Sequence, residues 1–268
     1  MTYEKKVESA IRLIQSVGKK EPVIVAYSGG KDSDVLRTLC QYAGVDYKLV
    51  YNSTTIDPPG TISHCQHVGA AIIRPAHTFF ELIAKKGLPS LSRRFCCREL
   101  KEKFIAPRLL LGVRAAESVK RQKLYTEPTS CFVYNSKCST DRILPLYNWS
   151  DDDVHKFVVE ERVFVHPLYY DSDGKFHVER RLGCLGCPLQ GDRGKADFLQ
   201  YPKLLRQWCR SYTHYVSTHK YIEGIYEDIL WHIFYSNHGN QKYQQAFHGL
   251  FDKPNAKDLL ESYFNIDL

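Results

Sequence analysis

No stretch of this 268-residue chain reaches the ~18 consecutive apolar residues that a membrane-spanning helix needs. The opening residues, MTYEKKVESA, lack the apolar core of a secretory signal. The expectation is a cytoplasmic protein with no membrane contact. There is no internal repeat, low-complexity segment or Gly- and Pro-rich linker, which argues against a string of separate modules. A long basic tail of the kind that binds nucleic acid is also missing, although the net charge is +7. The positive residues are spread along the chain, with small clusters such as Lys101/Lys103 and Arg180/Arg181. That charge leaves two readings open: a solvated basic surface, or an anionic partner that is a nucleotide or a nucleic acid. What remains is ordinary globular composition, 43% hydrophobic and 25% charged, enough for one large core or two modest ones.

The first half alternates helix and strand patterns. Val7, Ala10, Ile11 and Ile14 recur at helical spacing, which predicts an amphipathic helix over 3–18. PVIVAY reads as a buried strand; a glycine turn follows, then an apolar pattern at Val35, Leu36, Leu39, Cys40 and Ala43 that predicts a helix. DYKLVYN, AAIIRPA and LLLGVRA read as further strands, and TFFELIAKKG as a helix ended by Gly87. Strands alternating with helices predict an α/β fold with a mainly parallel, twisted sheet and helices on both faces. The second half is less regular. Ser150, with Asp153 three residues on, marks a helix start in NWSDDDVHKFVVEE. YYDSDGKFHVERR reads as turns, and the chain looks helical from about Lys195 onward. The expected division is a nucleotide-binding domain with a cysteine site over 1–190 and a helical C-terminal extension over 191–268.

The segment VIVAYSGGKDSDVLRTLC, Val23–Cys40, carries the chemistry. It has two glycines and a lysine but not the P-loop pattern: Val25 stands where the first glycine belongs, and Asp32 follows Lys31 where Ser or Thr belongs. In a strand–loop–helix, main-chain N–H groups at the helix start and the helix dipole favour an anion. Gly29 and Gly30 allow close approach, Ser28 and Ser33 add hydroxyls, and Lys31 adds a charge. A ligand-free glycine turn is the competing reading.

The string Ser28-Gly29-Gly30-Lys31-Asp32-Ser33 resembles the PP-loop of the ATP pyrophosphatases, and specifically of the phosphoadenosine phosphosulfate (PAPS) reductase family. YNSTTIDPPG, RRFCCRELK and GVRAAESVKR resemble further segments of that family, in order, over roughly residues 20–190. The resemblance implies an adenine nucleotide ligand, ATP or PAPS, held by residues 28–33 together with Asp57 and Arg114, with magnesium accompanying ATP and with Lys31 and Asp32 as candidate catalytic groups. On residue chemistry alone, Asp57 could orient a ribose, bind a metal or simply start an Asp-Pro turn. Arg114, after LLLGV, falls at the strand edge where α/β sheets bind ligands, and its fork suits phosphate or sulfate; a surface ion pair is the alternative. Glu117 and Ser118 fit a helix start as well as a ligand contact, and solvated side chains are the simple reading of Lys120 and Arg121.

Nine cysteines are an odd count, and disulfides are not expected in a cytosolic chain. Cys184 and Cys187 form a Cys-x-x-Cys loop with glycine before each, and Cys96–Cys97 could donate two more thiolates. Four sulfurs suit zinc or an iron–sulfur cluster; a redox dithiol or two buried thiols is the alternative for Cys184/Cys187. The resemblance favours a 4Fe-4S cluster over zinc, because some sulfonucleotide reductases and related DNA-sulfur-modifying enzymes use such a set. His64 and His67 show no metal spacing, and His64 is expected near the nucleotide segment or in solvent.

The assimilatory reductases of this family share a Glu-Cys-Gly-x-His motif whose cysteine attacks the sulfonucleotide. No Glu-Cys-Gly occurs in this sequence, and its last cysteine is Cys209 in RQWCRSY. The resemblance therefore favours an ATP pyrophosphatase that adenylates a substrate for sulfur transfer, as in DNA phosphorothioation. Its partners would be a nucleic acid substrate and a sulfur-donor protein. A sulfonucleotide reductase using Cys209 or a cluster-side thiol, and a binding module without turnover, remain as alternatives.

Overall fold

The computed structural model describes the chain apart from residues 20, 91, 103–105, 118–122, 124–127, 136–137, 220–223 and 236–254. Lys103, Ser118, Lys120 and Arg121 therefore lie outside the described residues. The described residues divide into two compact units that interleave in sequence: Met1–Ser53, Pro59–Arg74 and Lys103–Leu182 in the first, and Thr54–Pro58, Pro75–Glu102 and Gly183–Leu268 in the second.

The first unit holds one sheet. Strands β1 (Val23–Tyr27), β2 (Tyr47–Asn52), β3 (Ala71–Ile73), β4 (Arg108–Leu110), β5 (Thr129–Asn135) and β6 (Cys138–Ile143) lie in the order β3-β2-β1-β4-β6-β5. Five run parallel, and β5 pairs antiparallel with β6. This is the expected α/β class, a mainly parallel sheet with helices on both sides. Val25 pairs with Leu49 on one side and Leu110 on the other. The chain steps outward from β1 to β3 and then returns to β4 on the opposite side of β1. The strand order therefore reverses between β1 and β4, the place where parallel α/β sheets open a crevice at their carboxyl ends.

Helix α1 (Tyr3–Gly18) and helix α2 (Lys31–Ala43) form as their apolar spacing predicts, burying Ala10 and Ile14 from the first and Val35, Leu36, Leu39, Cys40 and Ala43 from the second. Gly44 ends α2 in the left-handed conformation, a position that suits glycine. Helix α3 (Thr61–His67) connects β2 to β3. Helix α4 (Phe79–Lys86), in the second unit, starts on a Thr78–Glu81 capping box and stops at Gly87. Helix α5 (Asp151–Glu160) starts on a capping box between Ser150 and Asp153 and buries Val154, Phe157 and Val158. Trp149, Phe157, Leu36, Leu39, Val25 and Leu110 are part of this unit's core; each such side chain contributes about 1.5–3 kcal/mol of burial.

Two expectations change. The strand read in LLLGVRA stops at Leu110; Leu111 still donates its N–H to the Ile143 carbonyl of β6 at 2.9 Å, and from Gly112, which lies against the start of α2, the chain is irregular. The antiparallel β5–β6 pair has no counterpart in the sequence reading: the sequence between the two strands, Ser136 and Lys137, lacks the glycine and Asn-Gly signals that mark a tight hairpin.

In the second unit, α6 (Asp192–Gln200), α7 (Pro202–Thr218), α8 (Ile225–Tyr235) and α9 (Ala256–Phe264) bear out the helical reading over the described C-terminal residues. They share a core with α4 in which Trp208 meets Phe79, Phe198 and His232.

Candidate nucleotide site

The PP-loop leaves β1 at Tyr27 and enters α2 at Lys31. Gly29 turns the chain at φ 74°, a conformation that penalises any side chain. Gly30 is the N-cap residue, and no side chain caps the helix. The loop is instead closed on itself. Ser28 Oγ accepts the Gly30 N–H at 3.3 Å and meets Ser33 Oγ at 3.2 Å, while Ser33 Oγ donates to the Gly30 carbonyl at 2.7 Å. The result is a rigid turn at the positive end of a helix dipole, with no acidic side chain as cap: a cradle for an anion.

The charged side chains around it are paired. Arg114 is 2% exposed. Its Nε donates to Asp32 Oδ1 at 2.6 Å and its Nη2 to Asp151 Oδ1 at 2.7 Å, and Nη1 faces the Trp149 carbonyl at 3.5 Å. Lys31 Nζ meets Asp32 Oδ2 at 3.2 Å and lies 5.4 Å from the centre of the Tyr169 ring. Burial holds the Lys31 ammonium below its ordinary value, and the Arg114 charge adds to this while Asp32 opposes it. The Tyr169 hydroxyl accepts the Leu182 N–H at 3.2 Å and also receives the Lys31 main-chain N–H; burial nonetheless pushes the phenol up to about 12.

Beneath the loop lies a second polar group. The Tyr27 hydroxyl donates to the Asp34 carboxylate, and His64 Nε2 lies 2.9 Å from the Tyr27 oxygen and 3.1 Å from Asp34 Oδ2. All three side chains are buried. Of the two places expected for His64, solvent is excluded: it lies by the loop segment but beneath it, against Phe164 and His166, with Nδ1 buried and without a partner. Burial raises the Asp34 carboxyl, and the His64 and Tyr27 hydrogen bonds oppose that rise.

Thus the structure brings Ser28, Gly29, Gly30, Lys31, Asp32, Ser33 and Arg114 together. Asp57 lies in the second unit, where its carboxylate accepts the Thr54 N–H at 2.9 Å and the Thr54 hydroxyl at 2.5 Å, closing the turn before Pro58. Asp151, Tyr169 and the Tyr27–Asp34–His64 group went unread. One signal was available: Asp34 is a carboxylate on the apolar face of α2, beside Val35, and a buried acid needs partners.

The four candidate metal ligands all lie in the second unit. Cys97 opens a single wide π-type turn, Cys97–Lys101, preceded by Cys96. The Cys96 thiol donates to Cys97, which pulls Cys97 below the ordinary thiol range against the effect of burial, and Arg94 Nη2 faces the Cys97 sulfur at 3.8 Å. Lys101 lies beside the Cys184 sulfur and within electrostatic reach of Cys97 and Cys187. The Cys184–Cys187 turn is held by its main chain: Gln190 Nε2 donates to the Cys184 carbonyl at 2.7 Å, and Asp197 Oδ2 accepts the Gly186 N–H at 2.8 Å. Four soft donors with two adjacent cations suit a thiolate-ligated centre chemically. As the side chains stand, no group of three or more His, Cys, Asp or Glu among the described residues is arranged to hold a metal ion. Cys209, on α7, is buried against Trp208, and burial pushes its thiol up to about 12.

The loop, the sheet reversal and the paired cations define a PP-loop nucleotide-binding domain. The chain belongs to the phosphoadenosine phosphosulfate reductase domain family, whose model matches residues 22–190. Two uncharacterized proteins of Methanocaldococcus jannaschii are each 27% identical to it, over 79% and 76% of this chain. The chain spans about half the length of both, 46% and 51%. Among solved structures, phosphoadenylyl-sulfate reductase from Candida auris matches with a TM-score of 0.44 and 18% identity, over 61% of this chain and 86% of that one. The NH3-dependent NAD synthetase from Campylobacter jejuni matches with a TM-score of 0.40 and 13% identity, over 84% of this chain and 99% of that one. No helix among the described residues is long and apolar enough to cross a membrane.

Proposed function

We propose that the chain is a PP-loop enzyme that takes ATP with its magnesium ion, cleaves it between the α- and β-phosphates, and adenylates a substrate for sulfur transfer. The observation that carries this reading is the start of α2, which has no capping side chain, sits at the sheet's reversal point and is flanked by Ser28, Lys31 and Ser33. The β- and γ-phosphates lie on the loop amides. Lys31 turns from Asp32 to the phosphates, and a substrate oxygen attacks the α-phosphorus. The bond from the α-phosphorus to the bridging oxygen breaks, that oxygen keeps the electron pair, and pyrophosphate leaves, taking up any proton the substrate oxygen carried. Preorganised donors on the leaving pyrophosphate are the main source of rate. A sulfur nucleophile then displaces AMP. A nucleic acid acceptor agrees with the net charge of +7, and a sulfur-donor protein completes the transfer.

In this reading Cys96, Cys97, Cys184 and Cys187 draw together on a 4Fe-4S cluster or zinc, which supplies an electron carrier in the first case and a structural clamp in the second. Lys101 and Arg94 balance the thiolate charge. A reductase that uses Cys209 as nucleophile is disfavoured by that thiol's burial and raised pKa.

The test is parallel incubation with ATP and PAPS. Pyrophosphate release from ATP is expected, and sulfite release from PAPS with thioredoxin identifies a reductase instead. Ser28→Ala with Lys31→Ala is expected to abolish nucleotide binding in an equilibrium titration; retained affinity removes the loop from the site.

A further inference from the structure

Arg114 has the fork that suits a phosphate, yet it spends that fork on two carboxylates. Its Nε holds Asp32 at 2.6 Å, its Nη2 holds Asp151 at 2.7 Å, and its side chain is 2% exposed. Lys31 holds the other Asp32 oxygen at 3.2 Å with 4% of its own side chain exposed. Two cations and two carboxylates thus meet at the mouth of the loop, and their formal charges cancel. An arriving polyphosphate changes this balance. Lys31 is on the loop itself and has a flexible stem, so it can turn to the phosphate. Asp32 stays at the loop, because it is the second residue of α2, its main chain lies close against Gly112, and Arg114 Nε holds its carboxylate at 2.6 Å. If Asp32 were then unpaired, a carboxylate screened from water would face the phosphate, and like charges repel most where solvent is excluded.

We propose that Arg114 is a positioning residue that neutralises and orients Asp32, so that the PP-loop accepts an anion, and that it does not itself hold the phosphate. The inference rests on the nucleotide reading of the loop given above. Asp151 supports the role: it heads α5 and takes the second edge of the guanidinium, so the fork is fixed on Asp32 from behind. A guanidinium already held on both edges costs little further ordering when ligand arrives, whereas pulling the buried Arg114 away would leave the largely buried Asp32 without its cation.

The experiment is a titration of the full chain with ATP, with and without magnesium, for wild type, Arg114→Gln, Asp32→Asn and the double variant, each checked for folding by its melting curve. Arg114→Gln is expected to weaken ATP binding at least tenfold. The double variant is expected to bind within about threefold of Asp32→Asn, because removing the carboxylate removes the need for its screen. A double variant as weak as Arg114→Gln means that the guanidinium touches the ligand directly, and overturns the proposal. If Arg114→Gln does not fold, Arg114→Lys decides. One positive charge beside Asp32 is expected to keep affinity within about threefold of wild type, and a fall beyond tenfold overturns the screen. Wild type that binds ATP in neither buffer overturns the nucleotide reading itself, and this inference with it; binding by wild type without rescue overturns only the inference.

Discussion

Gly112 lies so close to Asp32 that a Cβ built on it would stand 2.9 Å from the Asp32 carbonyl oxygen and 3.2 Å from the Ser33 nitrogen. Both neighbours are main-chain atoms of the first turn of α2, so no side chain can swing aside to make room. The chain that follows β4 is thereby set against the loop that follows β1, and this contact delivers Arg114 to Asp32. Gly112→Ala is expected to cost about 1–3 kcal/mol, the usual range for overpacking a tight contact. It should also weaken ATP binding more than its stability loss explains, because the atoms displaced belong to the anion cradle. Urea denaturation and a nucleotide titration on the same variant check the two parts.

The buried group under the loop makes a second prediction. Tyr27→Phe removes one donor to a carboxylate that has no water to replace it. A hydrogen bond to a charged group is worth about 1.5–3 kcal/mol, and the variant should lose stability in that range. Asp34→Ala leaves both Tyr27 and His64 without their shared acceptor, and about 3–5 kcal/mol is expected from breaking a buried pair. If both variants unfold at the wild-type urea midpoint at pH 7, the group is not part of the folded core.

Stability should also depend on pH through His166. This residue caps the short helical turn Pro167–Tyr169 by accepting the Leu168 N–H at 3.1 Å, and so places Tyr169 beside Lys31. Burial, helped by the neighbouring His64, holds the His166 imidazole down to about 4. In the unfolded chain it titrates near ~6.5. Between these values the unfolded state binds a proton that the folded state does not. Stability is therefore level above about pH 6.5 and falls as the pH drops toward 4, by up to about 1.4 kcal/mol per unit for this one group. His232, in the second unit, is held down to about 4 by burial and adds a second such proton. His166→Asn keeps an acceptor for Leu168 and removes one titration, so the fall of stability between pH 6.5 and 5 should become shallower, by up to about 1.4 kcal/mol per unit. An unchanged slope would show that His166 does not titrate on unfolding.

The sheet, its class and the cradle were legible because each rests on local signals. Val7, Ala10, Ile11 and Ile14 recur at helical spacing, and Gly29-Gly30 sits between a β-branched run and an amphipathic helix. Thr78 and Ser150 announce their helices for the same reason, since a cap is read from a few adjacent residues. The partnerships were not legible. Asp34 and His64 are thirty residues apart and Arg114 and Asp32 eighty-two, and only the order of the strands brings them together. For Arg114 the sequence leaves phosphate binding and an ion pair both open, because a strand-edge arginine looks the same whether a phosphate or a carboxylate fills its fork. The β5–β6 pair is not legible because the sequence between its strands lacks glycine, and the strand read in LLLGVRA extends too far because LLLGV is apolar beyond the last paired residue.

The cysteines allow a prediction that does not depend on turnover. If Cys96, Cys97, Cys184 and Cys187 hold one centre, protein purified without oxygen should carry iron and sulfide in equal amounts and absorb near ~400 nm, as iron–sulfur proteins do. Cys184→Ser and Cys187→Ser should each lose most of the iron. Their turn should survive, because Gln190 and Asp197 hold it through the main chain at Cys184 and Gly186 rather than through sulfur. Cys209→Ala is the control: that thiol is packed beside Trp208 in the helical core, with its pKa raised by burial, and its loss should cost stability without touching the metal. Zinc alone in place of iron would keep the four-sulfur site and exclude the cluster. Full metal content in Cys184→Ser and Cys187→Ser, or none in the wild type after anaerobic reconstitution, would remove the site altogether and leave Lys101 and Arg94 as cations gathered around unligated thiols.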